Sequence, residues 1–294
     1  MGDGAAPLDV VVVAYGPPDG LAGALAALGP DYPAVVVDNS SSVATAAVAR
    51  AAGARYVDPG ANIGFAAAVN AALAQIDDPG RDVLLLNPDA RITPDALEQL
   101  HAELMARPDV ACVAPSQHTP GAGAAARARW PWHTPLGAWA EAVGLAGRRL
   151  RSSHYFLGGA VLLLRKAAVA DVGRLDERYF LYSEDEDWQR RALKRGWTVR
   201  YCPEVVAEHA AGGTETDPVR LQLRLHAALE RYVRKWYGAP GWAVFRAGTL
   251  VGLGLRMVVH RPARRRADAR LAGLYLRGPD RVARRAGAVP DHPG

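Results

Sequence analysis

The chain has 294 residues, half of them hydrophobic, with 35 Lys/Arg against 30 Asp/Glu and a formal net charge of +5. That length and apolar content bury a sizeable core, which excludes a disordered chain and suits one large domain, or one domain with an appendage. Cys112 and Cys202 are the only cysteines and stand in no CxxC or Cys/His spacing, which argues against a disulfide framework or structural zinc and makes a reducing cytosol the expected compartment.

The opening Met1-Gly2-Asp3-Gly4 has no basic start, and the first apolar run, Val10 to Ala14, is too short for a signal-peptide core, so export is not expected. Leu8 to Ala14 and Ala34 to Val37 are β-branched runs without alternation, as in strands buried on both faces of a parallel sheet. Helical spacing from Leu21 to Leu28 lies between them. The unit then repeats: a strand at Arg55 to Val57, a helix at Gly64 to Gln75, a strand at Asp82 to Leu86, and a helix at Pro94 to Ala106 with Thr93 as N-cap. Such alternation predicts an α/β fold with a doubly wound, mostly parallel sheet. From His118 to Arg151 the pattern weakens into a long, partly helical loop containing Arg129-Trp130-Pro131-Trp132. Gly158-Gly159 followed by a strand to Arg165, a helix from Glu186 to Arg195 ended by Gly196, and a strand from Thr198 to Cys202 come next.

In doubly wound sheets ligands sit beyond the carboxyl ends of the strands. Here those positions carry Asp38-Asn39-Ser40 and Asn87-Pro88-Asp89. Asp, Asn and Pro also make ordinary turns, but two such sites in one sheet favour a ligand. A nucleoside diphosphate leaving group needs positive charge, usually a hard divalent cation held by one or two carboxylates, and Asp89 fits that role. Asp38 is placed to accept hydrogen bonds from the base or ribose. The densest acidic cluster is Glu184-Asp185-Glu186-Asp187, after Tyr179-Phe180-Leu181-Tyr182 and before a helix. One or two of these carboxylates can complement the helix dipole. Four in a row crowd like charges, raising at least one pKa toward the range of a general base.

Taken in order, Val10-Val11-Val12-Val13-Ala14-Tyr15, Val36-Val37-Asp38-Asn39-Ser40-Ser41, Asn62-Ile63-Gly64-Phe65 through Asn70, Leu85-Leu86-Asn87-Pro88-Asp89, Gly158-Gly159-Ala160, Leu175-Asp176-Glu177-Arg178-Tyr179-Phe180 with Glu184 to Asp187, Arg195-Gly196-Trp197 and His209 make a specific set. The chain resembles a family 2 glycosyltransferase of GT-A fold, in its bacterial rhamnosyltransferase-like branch, over about Asp9 to Thr214. The resemblance implies an inverting glycosyltransferase that uses a divalent metal, Mg or Mn. It implies Asp185 as general base with Asp187 as rival and Glu184 beside them. Asp38, Asn39, Asn62, Gly64 and Asn87 would line the nucleotide site, Asp89 and His209 would hold the metal or diphosphate, and Gly158, Gly159, Tyr182 and Trp188 would form the donor and acceptor pocket. A dTDP- or UDP-sugar donor, rhamnose first, and a glycan or polyprenyl-diphosphate-linked acceptor follow, as in cell-wall or surface polysaccharide synthesis. The chain departs from the family pattern in Ala66-Ala67-Ala68-Val69, where two glycines are common, in lacking a second acid soon after Asp38, and in keeping only Asp89 of the DxD.

Val219 to Gly294 holds 16 Lys/Arg and 4 Asp/Glu, a net +12 against +5 for the whole, so the preceding part carries −7. A catalytic domain over 1–217 and a basic helical segment over 218–294 are expected. Arg220 to Tyr237 is helical in pattern. Gly241 to Val259 is a marginal membrane span because it contains Arg246, Arg256 and four glycines; with Arg261 and Arg264 to Arg266 following, an interfacial helix on an anionic inner leaflet fits better. The expected location is cytoplasmic, peripheral to the membrane. A nucleotidyltransferase would share the sheet but lacks its Gly-rich basic loop at Tyr15-Gly16-Pro17-Pro18-Asp19. A nucleic-acid-binding protein would explain the arginines but not acidic strand ends, so no nucleic-acid partner is expected.

Overall fold

The computed structural model describes residues 8–76, 80–119, 125–126, 128–145, 155–210 and 217–290. The chain forms two compact units, one of residues 1–130, 156–177 and 184–216, the other of 131–155, 178–183 and 217–294. A single boundary at 217 therefore misses two segments of the second unit that lie earlier in the chain.

The first unit is built on a sheet of strands β1 (Leu8–Ala14), β2 (Ala34–Asp38), β3 (Arg55–Val57), β4 (Asp82–Leu86), β5 (Ala90–Arg91), β6 (Val110–His118), β10 (Val161–Leu164) and β11 (Thr198–His209), in the order β3-β2-β1-β4-β10-β6-β11-β5. β1, β2, β3 and β4 run parallel, and so do β6 and β11, whereas β10 is antiparallel to both its neighbours. The sheet is thus mostly parallel, as expected. Residues of β1 and β4 are buried throughout because helices α1 (Asp19–Leu28), α2 (Val43–Ala51), α3 (Phe65–Leu73) and α4 (Pro94–Met105) flank the sheet. Thr93 caps α4 by accepting from Ala96 N, with Pro94 at its first turn, and Ser42 caps α2 through Thr45 N. α6 (Lys166–Val172) and α7 (Glu184–Lys194) complete the unit.

The central strand β6 is the main element the sequence pattern hides. It contains Pro115, which cannot donate to a ladder. The structure absorbs it at a bulge: β11 pairs Cys202 with Pro115 and then jumps to Val206 opposite Ser116. In the stretch read as one long loop, 118–151, the described part holds β7 (Ala125–Ala126), β8 (Arg129–Pro131) and α5 (Pro135–Ala142), with β9 (Tyr155–Leu157) following; residues 120–124, 127 and 146–151 lie outside the described residues.

The second unit packs α5, α8 (Pro218–Val259), α9 (Pro262–Arg277) and α10 (Pro279–Arg285) around Tyr179, Tyr232, Trp242, Phe245 and Tyr275. Trp242 stacks on Phe245 and on Tyr275 with centroids 5.9 Å apart. α8 kinks where Gly238 adopts φ 68° just before Pro240. Beyond the kink, glycines let α5 lie against it: a Cβ at Gly248 would stand 2.8 Å from the Trp139 ring, and one at Gly252 would stand 3.0 Å from Ala142 Cα. The Trp139 indole N–H also donates to Val244 O at 3.0 Å. The face of Gly241 to Val259 that carries the glycines is therefore occupied from within. Val251, Leu255, Val258 and Val259 remain exposed. α8 is long and apolar enough to cross a membrane by length and composition, with 28% of its most apolar stretch buried inside the molecule.

Candidate active site

The site is assembled from first-unit residues at the carboxyl ends of the parallel strands. The loops after β1, β2 and β3 are stitched together. Asp38 has no exposed surface; its Oδ1 accepts from Ser40 N at 2.8 Å, and its Oδ2 from Ser42 N at 2.7 Å and Tyr56 O–H at 3.0 Å. Burial, reinforced by that bond to the Asp38 carboxylate, pushes the Tyr56 hydroxyl up to about 12. Ser40 Oγ in turn accepts from Gly16 N at 2.7 Å. Asn39 donates to Gly64 O at 3.2 Å and accepts from Ile63 N, while Asn62 Oδ1 accepts from Gly64 N at 3.0 Å. Gly64 sits at φ 87°, a conformation few other residues adopt. In this arrangement Asp38 shapes the loop that follows β2.

β4 ends at Leu86, and Asn87 N then donates to Ala160 O at 2.8 Å, which closes the turn that carries Asp89. Gly20 on α1 leaves room for that turn, since a Cβ there would stand 2.8 Å from Pro88 O. The short β5 pairs with the end of β11, with His209 opposite Ala90, and Ala210 N donates to Asp89 O at 3.0 Å. These bonds bring His209 Nε2 to 3.3 Å from Asp89 Oδ1, each side chain about one-fifth exposed. Among the described residues no cluster of three or more His, Cys, Asp or Glu is placed to hold a metal. One carboxylate and one imidazole make a partial set, of the kind a hard cation completes with diphosphate oxygens and water.

α7 begins at Glu184 rather than Glu186, so its four acids fill the first turn. The structure separates their roles. Asp187 and Glu186 have no exposed surface, and Asp187 is held by Arg191 Nε at 3.0 Å, itself anchored on Val172 O and Arg174 O. Glu184 is buried, its Oε2 without a partner among the described residues, and burial first, then the Asp185 charge, holds its pKa well above the usual carboxylate range. Asp185 alone of the four keeps partial exposure. It accepts from Gly159 N at 3.0 Å and from Glu186 N at 2.7 Å. Desolvation raises its pKa to about 6 and the Glu186 charge adds to that, while the N–H donors oppose.

Asp185 and the Asp89 turn meet through one junction of backbone. β10 pairs with β4, Val161 opposite Leu86, so Gly159 and Ala160 lie beside Asn87. One side of this junction carries a carboxylate with a pKa near neutrality and the other a carboxylate–imidazole pair. The arrangement can accept a proton on one side and neutralise an anion on the other.

Two expectations need correction. Trp188 is 2% exposed with its indole N–H donating to Gly173 O at 2.9 Å, so it is a core residue and no part of a pocket. Asp187, buried against Arg191, is a structural ion pair and not a rival base. Tyr182 belongs to the second unit, half-buried at its aromatic cluster. Asn70 proves to be a clamp: its amide donates to Leu175 O and Glu177 Oε1 and accepts from Leu175 N, all within 3.0 Å. Gly20, Tyr56 and Gln189 are site-building residues that the sequence gives no signal for, because each acts on a backbone segment distant in the chain.

The family described as glycosyltransferase like family 2 matches residues 6–238, and the chain belongs to it. Its fold matches GT-A glycosyltransferases: it is similar to a mannosyltransferase from Pyrobaculum calidifontis solved with GDP-Man and Mn2+, at TM-score 0.58 and 16% identity over 94% of this chain and 82% of that one. The glucosyl-3-phosphoglycerate synthase of Mycobacterium tuberculosis, solved with Mn2+, UDP and phosphoglyceric acid, superposes at TM-score 0.54 and 16% identity over 78% of each chain. In sequence, the chain is 37% identical over 90 residues to N-acetylglucosaminyl-diphospho-decaprenol L-rhamnosyltransferase of M. tuberculosis, a match that spans 29% of each protein. By family and by fold the chain is therefore of the glycosyltransferase class.

Proposed function

We propose that this glycosyltransferase carries out an inverting transfer of a sugar, rhamnose from dTDP-rhamnose first, to a hydroxyl of a polyprenyl-diphosphate-linked glycan. The observation that carries it is the Asp185 carboxylate, partly exposed, with a pKa of about 6 and held at Gly159 beside the turn that bears Asp89. In this reading Asp185 takes the proton of the acceptor hydroxyl as its oxygen attacks the anomeric carbon, and the nucleoside diphosphate leaves from the opposite face. One in-line displacement inverts the centre. Asp89 and His209 would hold the divalent cation, Mg or Mn; when bound it offsets the negative charge of the diphosphate. The loops at Asn39, Asn62, Gly64 and Asn87 provide the backbone surface for the nucleotide, and Gly158-Gly159 leaves space for the sugar. The choice of rhamnose and of a lipid-linked acceptor is supported by the partial relative alone.

The same relative supports action at the cytoplasmic face of a membrane. Exposed Leu255, Val258 and Val259 at the end of α8 stand next to exposed Arg261, Arg264, Arg265 and Arg266 at the start of α9, a combination that suits an anionic surface. The test is a panel of dTDP-, UDP- and GDP-sugars with and without manganese, read by thermal shift and by nucleoside diphosphate release. Metal-dependent stabilisation by one donor class, with release of its diphosphate, is expected; no stabilisation by any donor overturns the reading.

A further inference from the structure

We propose that Gln189 is a positioning residue that holds the catalytic carboxylate of Asp185 against the Gly158-Gly159 turn. The proposal rests on Asp185 being the base. Gln189 has no exposed surface. Its Oε1 accepts from Leu157 N at 2.8 Å and its Nε2 donates to Leu157 O at 2.7 Å, so the side-chain amide pairs with one residue of backbone as a neighbouring strand would. Two residues along the same segment, Gly159 N donates to Asp185 Oδ2 at 3.0 Å.

The geometry makes these contacts two rungs of one ladder. Asp185 and Gln189 are four residues apart on α7, a rise of about 6 Å on the same helix face. Leu157 ends β9 and Gly159 opens the turn that follows, two residues further along the same segment. The same helix face thus bonds the end of β9 through Gln189 and the turn after it through Asp185. One rung is made by a neutral amide buried from water, and the other by the reacting carboxylate. Ala160, the next residue, accepts from Asn87 N, so the ladder also fixes the base relative to the turn bearing Asp89. Trp188 anchors to Gly173 O and Asp187 to Arg191, which hold other parts of the helix.

The segment keeps its bonds from Gly158 N to Ala128 O and from Asn87 N to Ala160 O, but without the Leu157 rung α7 loses its uncharged hold on it and the Gly159 N–H bond alone must keep Asp185 docked there. Losing that donor removes a stabiliser of the ionised carboxylate, so the Asp185 pKa should rise further. The Glu186 charge on its own helix raises this carboxyl, while the Glu184 carboxyl beside it and the Cys112 thiol on β6 feel the Asp185 charge in turn. The Gln189 amide bonds Leu157 on both sides and brings no charge of its own.

The test uses the full chain with Gln189→Met and Gln189→Glu, after each is shown to be folded by circular dichroism. The rate of dTDP release from dTDP-rhamnose is followed against pH, and hydrogen exchange is followed for the peptide covering residues 155–161. Wild type should gain rate as pH rises through about 6. Gln189→Met should lose at least about 10-fold in kcat, shift its acid limb upward by about one pH unit and exchange faster in that peptide, with donor KM little changed. Gln189→Glu is isosteric when protonated and can keep both bonds, so it should work at low pH and fail as its own carboxyl ionises, turning a rising profile into a bell. Wild-type acid limbs in both variants, with rate loss that tracks only the folded fraction, would show that Gln189 merely supports the fold. If Gln189→Met does not fold, the shape of the Gln189→Glu profile decides. If wild type turns over no donor, the proposed function fails, and exchange of the 155–161 peptide still judges the clamp: equal exchange in wild type and variants overturns it.

Discussion

Replacing Asp185 with Asn should stop catalysis and stabilise the protein at neutral pH, two effects with one cause. The carboxyl is raised from its ordinary 3.8 to about 6, chiefly by desolvation. A group whose folded pKa exceeds its unfolded value favours folding fully only while protonated, so stability falls as pH climbs from about 3.8 through about 6 and is level above. A shift of about 2 units at 1.36 kcal/mol each corresponds to about 3 kcal/mol that wild type forgoes at pH 7.5. Asn forgoes none of it, but it has one acceptor oxygen in place of two, so Gly159 N or Glu186 N loses its partner, which costs about 1 kcal/mol. The net gain of about 2 kcal/mol, set against an unfolding entropy of about 0.6 kcal/mol per kelvin for a chain of this length, raises Tm by about 3 °C. At pH 3, below both pKa values, the sign should reverse, with the variant lower by one or two degrees, because the wild-type carboxyl is then protonated in the folded and the unfolded chain alike. Differential scanning calorimetry of both proteins at the two pH values is the assay, with kcat expected to fall by about 10²-fold or more. A variant less stable than wild type by the same amount at both pH values would show that desolvation of Asp185 is not the dominant strain in the site.

Other substitutions probe the remaining parts. Asp89→Ala should abolish turnover together with manganese-dependent stabilisation by nucleotide, and near-normal activity at limiting manganese would remove Asp89 from the metal. Gly20→Ala places a Cβ 2.8 Å from Pro88 O, so thermal denaturation should show a loss of about 1–3 kcal/mol, with an activity loss that Gly254→Ala, where a Cβ meets nothing within 4 Å, does not share. For membrane attachment, Arg264, Arg265 and Arg266 changed together to Gln should weaken sedimentation with anionic vesicles by about 10²-fold, from about 1 kcal/mol per arginine, and high salt should mimic the change. Unchanged pelleting in both conditions would exclude the electrostatic part of the attachment. Point changes suit this test better than deleting 241–294, because Trp242, Phe245 and Tyr275 are core residues of the second unit and the deletion would unfold it.

How much of the site was legible depends on whether its signal is local. Strands β1, β3 and β4 fall where the apolar runs place them, and the cap at Thr93 forms as its residue type demands. Asp89 at a strand end and Asp185 at a helix start follow from the same local patterns. Strand β6 was hidden because Pro115 disqualifies it by propensity, and only a bulge in its partner β11 makes it acceptable. Within the run Glu184 to Asp187 the residue types are nearly equivalent, and burial alone separates them: Asp187 against Arg191, Glu186 enclosed, Asp185 open toward the site.

The sequence by itself determined the α/β alternation, the polar strand ends and the asymmetry of charge, because hydrophobic periodicity, capping and turn chemistry act over a few residues. The tertiary structure decided the rest. The approach of His209 to Asp89, the insertion of β10 antiparallel between β4 and β6, and the docking of Asp185 and Gln189 on the 157–159 segment all join parts remote in the chain. So does the second unit, which recruits Ala138 of α5 and Tyr179 to a core centred on α8. Such pairings depend on which buried surfaces and backbone groups satisfy one another at once, and no local pattern encodes that choice.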